Sequence, residues 1–180
     1  MKELFKCVLI TSFVLASLVC DSVQAQSPSP LAPQYNQFDF WLGEWETEMT
    51  SIPDFSVKRT GKDKVQSLLK GRLIEEVFTR DGDGEKFQRG YLTYLARDKK
   101  WQHIIYDAKW GEYRFLGGKR GDKLVLESPK DDTRPLKHRE TFSEITADGF
   151  NYTWQSSRDQ GKTWNDVWKV KYKRAGNRPK

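Results

Sequence analysis

Beyond residue 20 the chain contains no cysteine, because its two, Cys7 and Cys20, both fall in the first twenty positions. The rest of the chain therefore has no thiol for a disulfide, a zinc–thiolate site or a cysteine nucleophile. Histidine is almost as scarce: His103 and His138 are the only two, too few for a multi-histidine metal centre. No apolar run reaches the roughly 20 residues that carry a helix across a bilayer. Nucleophile elbows, phosphate-binding glycine loops and zinc-protease signatures are all missing. So are long blocks of one charge. The 31 basic and 25 acidic residues alternate along the chain to a net charge of +6, and only the stretch from Lys169 to Lys180 is distinctly basic, so nucleic acid is not an expected partner.

What the chain does have begins with a leader. A charged start, Met1 to Lys6, is followed by an apolar run from Cys7 to Val19 and a polar stretch ending Val23-Gln24-Ala25. This is the pattern of a secretory signal peptide cleaved after Ala25, and it implies a periplasmic or secreted protein with no transmembrane segment. Acylation at Cys20 is disfavoured by the bulky Val19 directly before it. Residues 26–34, Ser- and Pro-rich, read as a linker, residues 35–174 as one domain, and residues 175–180 as a basic tail.

Turn signals then recur at short intervals, among them Asp54, Gly61, Gly71, Asp81-Gly82-Asp83-Gly84, Asp98, Gly111, Gly117-Gly118, Gly121-Asp122, Asp148-Gly149 and Asp159-Gln160-Gly161. Between them lie segments rich in Tyr, Trp, Val, Thr and Ile that alternate with period two, such as Phe150, Tyr152 and Trp154 opposite Asn151, Thr153 and Gln155. Ten strands are expected, near residues 44–51, 62–70, 72–80, 87–96, 100–107, 112–117, 122–128, 136–145, 149–157 and 164–173. Tight turns between consecutive strands predict an all-β antiparallel meander of about 8–10 strands, closed into a barrel because closure removes exposed edges. Residues 35–43 read as a short helical turn that plugs one end through Phe38, Trp41 and Leu42.

Phe38-Asp39-Phe40-Trp41-Leu42-Gly43-Glu44-Trp45 resembles the opening signature of the DUF1579 family of exported bacterial proteins, within the wider lipocalin-like group. The resemblance extends to Gly71-Arg72-Leu73-Ile74-Glu75-Glu76, to Lys100-Trp101 and to the closing segment through Tyr172-Lys173-Arg174. It implies a lipocalin-like barrel and no particular activity. Within it, Gly43-Glu44-Trp45 is similar to the G-x-W element of lipocalins, whose Trp closes the barrel base beneath a basic residue from the last strand, here Arg174 or Lys173. Ser157 to Trp164 matches the Asp-box pattern of propeller hairpins. With a single box and no internal repeat, Asp159, Gly161 and Trp164 read as a hairpin lock and not as a propeller blade.

Asp81-Gly82-Asp83-Gly84-Glu85 lacks the spacing of an EF-hand, and Arg80 and Lys86 beside it oppose a cation, so a tight hairpin is expected there and no metal site. His103 lies between Trp101 and Ile105 on one strand face. A lone imidazole in an apolar barrel ligates haem iron in nitrobindin-like barrels, but that family places its ligand differently and no supporting motif accompanies His103, so a structural histidine and no cofactor are expected. Glu75 and Glu76 occupy opposite faces of one strand, so whichever points inward sits among apolar neighbours. It must pair with a base such as Arg89 or Arg114, bind a ligand, or hold its proton. The candidate ligand-binding set is Glu75, Glu76, Arg89, Tyr91, Trp101, His103, Tyr113 and Trp154. The leading function is a binding protein for a small hydrophobic or amphipathic molecule. The alternatives are an acid–base enzyme on the same barrel, without catalytic residues yet nameable, and a ligand-free envelope interaction module whose interior is filled.

Overall fold

The computed structural model describes residues 32–51, 58–82, 86–109 and 111–176. The leader, most of the linker, the end of the tail and Asp83 to Glu85 of the acidic hairpin lie outside these residues. Ten strands run β1 Gly43–Ser51, β2 Lys58–Leu68, β3 Leu73–Arg80, β4 Lys86–Leu95, β5 Lys100–Asp107, β6 Gly111–Arg120, β7 Lys123–Glu127, β8 Lys137–Ser143, β9 Gly149–Ser157 and β10 Asn165–Arg174. Each pairs antiparallel with the next, and β10 pairs with β1 to close the barrel. Among the described residues no helix is long and apolar enough to cross a membrane.

Two strands differ from the sequence reading for steric reasons. Gly61 and Gly117-Gly118, expected as turns, lie inside β2 and β6. A Cβ on Gly117 would collide with the Val125 carbonyl and Leu126 of the neighbouring strand, and one on Gly61 with the Phe78 ring and the Thr79 carbonyl. These glycines mark close approach of chains rather than a change of direction. At the other end of β2, Leu69, Lys70 and Gly71 all take positive φ, 50°, 57° and 85°, so the strand stops at Leu68.

One end of the barrel is sealed. Pro33–Asn36 and Asp39–Trp41 form two short 3₁₀ turns instead of one helical turn, and they bury Phe38 and Trp41 completely. Phe38 meets Trp101 and Phe142 edge-on, with ring centroids 4.9 and 5.4 Å apart. Trp45 donates its indole N–H to the Trp41 carbonyl at 2.6 Å, tying the plug to β1. Opposite Trp45 in the β1–β10 register stands Arg174, whose guanidinium carbon lies 4.1 Å from the centroid of the Trp45 ring. It donates to the carbonyls of Leu42 at 3.0 Å, Phe40 at 3.2 Å and Ala147 at 2.8 Å. Arg174 is thus the basic cap, while Lys173 points to solvent. Gly43, at φ 122°, lets the plug turn into β1.

The opposite end carries the Asp-box hairpin. Asp159 accepts from the backbone N–H groups of Lys162 and Thr163 at 3.0 and 2.9 Å and from the Thr163 hydroxyl at 2.6 Å. Gly161, at φ 87°, completes the turn. The Arg139 guanidinium covers the Trp164 ring at 4.4 Å. These bonds satisfy a carboxylate within one loop and need no ligand.

Candidate functional site

Strand alternation decides which carboxylate is inside. On β3, Ile74, Glu76 and Phe78 face the interior, and Glu76 is only 2% exposed. Glu75 faces outward, where it accepts from Gln66 at 2.6 Å, from Arg89 at 3.2 Å and from Tyr91 at 3.2 Å. Glu75, Arg89 and Tyr91 therefore form a surface cluster and do not line the interior, because all three stand on the outer parity of β3 and β4. The inward glutamate meets a histidine rather than an arginine.

That histidine is His103. Its Nδ1 lies 2.9 Å from one carboxylate oxygen of Glu140, and its Nε2 lies 3.5 Å from Glu76. Glu76, His103 and Glu140 are on β3, β5 and β8, and Gly90 of β4 sits between the first two strands. A Cβ there would overlap both Glu76 Oε2 and His103 Nε2, so the missing side chain is what lets them meet across the strand. Around the trio, Tyr152 donates to Glu140 at 3.3 Å, Gln88 to Glu76 at 3.2 Å, and Trp41 to Asp63 at 3.2 Å. Tyr172 bonds Asp63 as well.

Burial alone would push the His103 imidazole toward its neutral form. The charge and hydrogen bond of Glu140, aided by Glu76, outweigh it and raise the pKa to about 9. Asp63, by burial first and the nearby Glu76 charge second, is raised well above the ordinary carboxylate range and keeps its proton. The interior thus holds one imidazolium between Glu76 and Glu140, with Asp63 neutral. Among the described residues no cluster of three or more His, Cys, Asp or Glu side chains is arranged to hold a metal ion.

Gly90→Ala is expected to push Glu76 and His103 apart and to destabilise the fold by about 1–3 kcal/mol, the usual cost of overpacking. Urea denaturation reads the loss; a midpoint equal to that of the parent protein would mean the contact is unimportant.

Above this network lies a cavity of about 620 Å³. Its floor includes Trp41, Glu76, His103, Tyr152 and Tyr172, and its walls include Phe78, Ile105, Tyr113 and Trp154. A bulge between Asp166 and Trp168 turns two adjacent residues of β10, Val167 and Trp168, onto the same cavity wall. Of the sequence candidates, Glu76, His103, Tyr113 and Trp154 line the cavity. Trp101 is fully buried in the plugged half instead, against Phe38 and Tyr94.

Sequence reasoning passed over Asp63, Glu140, Tyr152, Tyr172 and His138. Tyr152 and Glu140 share parity with the apolar Phe150 and Phe142, which was a usable signal. Asp63 stands between Lys62 and Lys64 and looks like part of a solvated strand until its register is known. His138 lines the cavity and accepts the Trp154 indole N–H on its Nδ1 at 3.1 Å. Burial, then the Arg134 charge, lowers its pKa, so it is neutral with its proton on Nε2.

No family model matches the chain, and no curated protein matches it. Among solved structures, it is similar to Rv2717c from M. tuberculosis, with 16% identity over 80% of this chain and 98% of that one and a TM-score of 0.51. This likeness shows the shared barrel fold. A redesigned β-barrel (9% identity, 77% of this chain and 95% of that one, TM-score 0.37) and a protein of unknown function from the DUF3598 family of Nostoc punctiforme (11%, 80% and 100%, TM-score 0.25) resemble it more loosely.

Proposed function

We propose that this barrel binds one small, largely apolar molecule in the cavity above the Glu76–His103–Glu140 network. The observation that carries this reading is the 620 Å³ space itself, which is within the size range of small-molecule sites and is walled mainly by aromatic and aliphatic side chains. A ligand-free module was expected to have a filled interior, and this interior is filled only in its plugged half. The acid–base alternative is weaker for a geometric reason. Glu76 and His103 are 2% and 1% exposed, and Glu76 is held by Gln88 while His103 Nδ1 is held by Glu140. In this reading residues 1–25 direct export and are removed, and the ligand is met outside the cytoplasm. The intact mass of protein taken from its own cell reads that removal, and an unshortened chain would contradict it.

Val167→Trp tests the binding reading. The larger ring enters the cavity from the bulge of β10, and apolar-ligand affinity is expected to fall at least about tenfold with little change in stability. Undiminished affinity in the variant would place the ligand elsewhere.

A further inference from the structure

We propose that the ligand is an amphipathic anion, with its apolar body inside the barrel and one negatively charged group at the mouth beside Arg59, Arg80 and Lys109. This inference rests on the binding reading above and adds the chemical class and the orientation.

Charge along the cavity is divided by depth. Among the described residues that line it near the mouth, Arg59, Arg80 and Lys109 are basic and Asp107 is acidic. One carboxylate oxygen of Asp107 is taken up by the backbone N–H of Lys109 at 2.8 Å. The Arg80 guanidinium lies 4.4 Å over the ring of Phe87, which is itself a cavity wall, so this charge is held against apolar surface at the opening. A cation placed on an aromatic face beside a low-dielectric cavity acts more strongly on a ligand charge than one extended into water.

The next layer down offers a donor as well. Trp154 Nε1 can only donate, so the Nδ1 of His138 that receives it must carry the lone pair. The proton of the neutral ring is then on Nε2, and toward anything other than Trp154 the imidazole is a donor. Tyr113 packs edge-on against His138, with centroids 5.2 Å apart, and lines the same stretch of wall.

The floor is lined by acids. Glu76 and Glu140 flank the single imidazolium of His103: Glu140 accepts from its Nδ1 and from Tyr152, Glu76 accepts from Gln88, and His103 Nε2 lies 3.5 Å from Glu76 without a hydrogen-bond partner. An anionic group at this depth would be set against the carboxyl groups of Glu76 and Glu140, which already flank the one imidazole at 3.5 and 2.9 Å, so the apolar end of a ligand fits the floor better. An apolar end meets mostly ring carbon there. The two ends of the cavity thus impose the same polarity on a ligand, tail inward and anion outward.

The test compares three probes with one alkyl chain, decanoate, decanol and decyltrimethylammonium, titrated against the fluorescence of the wild-type protein, in which Trp154 and Trp168 stand in the cavity wall. At low salt decanoate is expected to bind at least about tenfold more tightly than the ammonium probe, a preference that shrinks as salt screens the mouth. Arg59→Gln with Arg80→Gln should weaken decanoate about tenfold and leave decanol unchanged. Arg59→Gln alone, at an exposed strand position, gives the same direction should the double variant be unstable. Equal or tighter binding of the ammonium probe, or equal losses for decanoate and decanol in the variants, would overturn the proposal. Binding of none of the three would instead overturn the binding reading on which it rests.

Discussion

Glu140→Gln is expected to cost about 3–5 kcal/mol at neutral pH, the usual penalty for breaking a buried ion pair by removing one partner. Glu140 is fully buried, and its carboxylate is the closest charge to His103 Nδ1, at 2.9 Å. The amide keeps the shape and removes the charge that holds the imidazolium, so His103 should release its proton near neutrality. The pH dependence follows. His103 has a folded pKa of about 9 against the 6.5 of a free imidazole side chain, so its contribution, about 3 kcal/mol, is complete below pH 6.5 and is lost as pH rises through 9. Asp63 acts in the same direction, because its raised pKa also means that the folded state holds a proton the unfolded chain releases. Wild-type stability should therefore fall between about pH 6.5 and 9.5, and Glu140→Gln should flatten the part due to His103. Urea unfolding across that range, with NMR of the imidazole nitrogens, measures both effects; a wild-type His103 titrating near 6.5 would refute this description of the interior.

Trp45→Ala should be nearly as damaging and should differ in kind. Trp45 is 1% exposed, lies between Phe150 at 5.1 Å and the Arg174 guanidinium at 4.1 Å, and anchors the plug through the Trp41 carbonyl. Removing a buried indole costs about 3–5 kcal/mol, a large share of the roughly 5–15 kcal/mol that separates a domain from its unfolded state. A fall in Tm of roughly 10 °C is expected. Trp45 is not part of the cavity wall, so ligand affinity measured below the transition should be unchanged. A variant melting with the parent protein would remove the base-closing role from Trp45.

The division between what was readable in the chain and what was not follows from physical range. Period-two alternation is local, so all ten strands, and the shared faces of Trp101, His103 and Ile105 and of Phe150, Tyr152 and Trp154, could be read from neighbours in sequence, while which face points inward could not. The Asp-box lock was legible for the same reason: Ser157, Asp159, Gly161 and Thr163 bond one another within a single turn. The interior network was not legible, because it joins side chains on β2, β3, β5, β8, β9 and β10 that only barrel closure brings together. The Glu75–Glu76 argument shows the boundary. Alternation required one glutamate to be buried, but its partner depended on register across Gly90, and the partner is His103 rather than Arg89 or Arg114. Arg174 was one of two basic candidates for the cap until the β1–β10 pairing set it opposite Trp45.

The claim that this barrel carries a small molecule is tested most directly by native mass spectrometry of the protein purified from the cell that makes it, compared under gentle and denaturing conditions. A reproducible extra mass of small-molecule size, released on denaturation and absent from Val167→Trp, is the predicted result. A bare chain mass under both conditions, from protein never exposed to detergent or solvent, would contradict the claim.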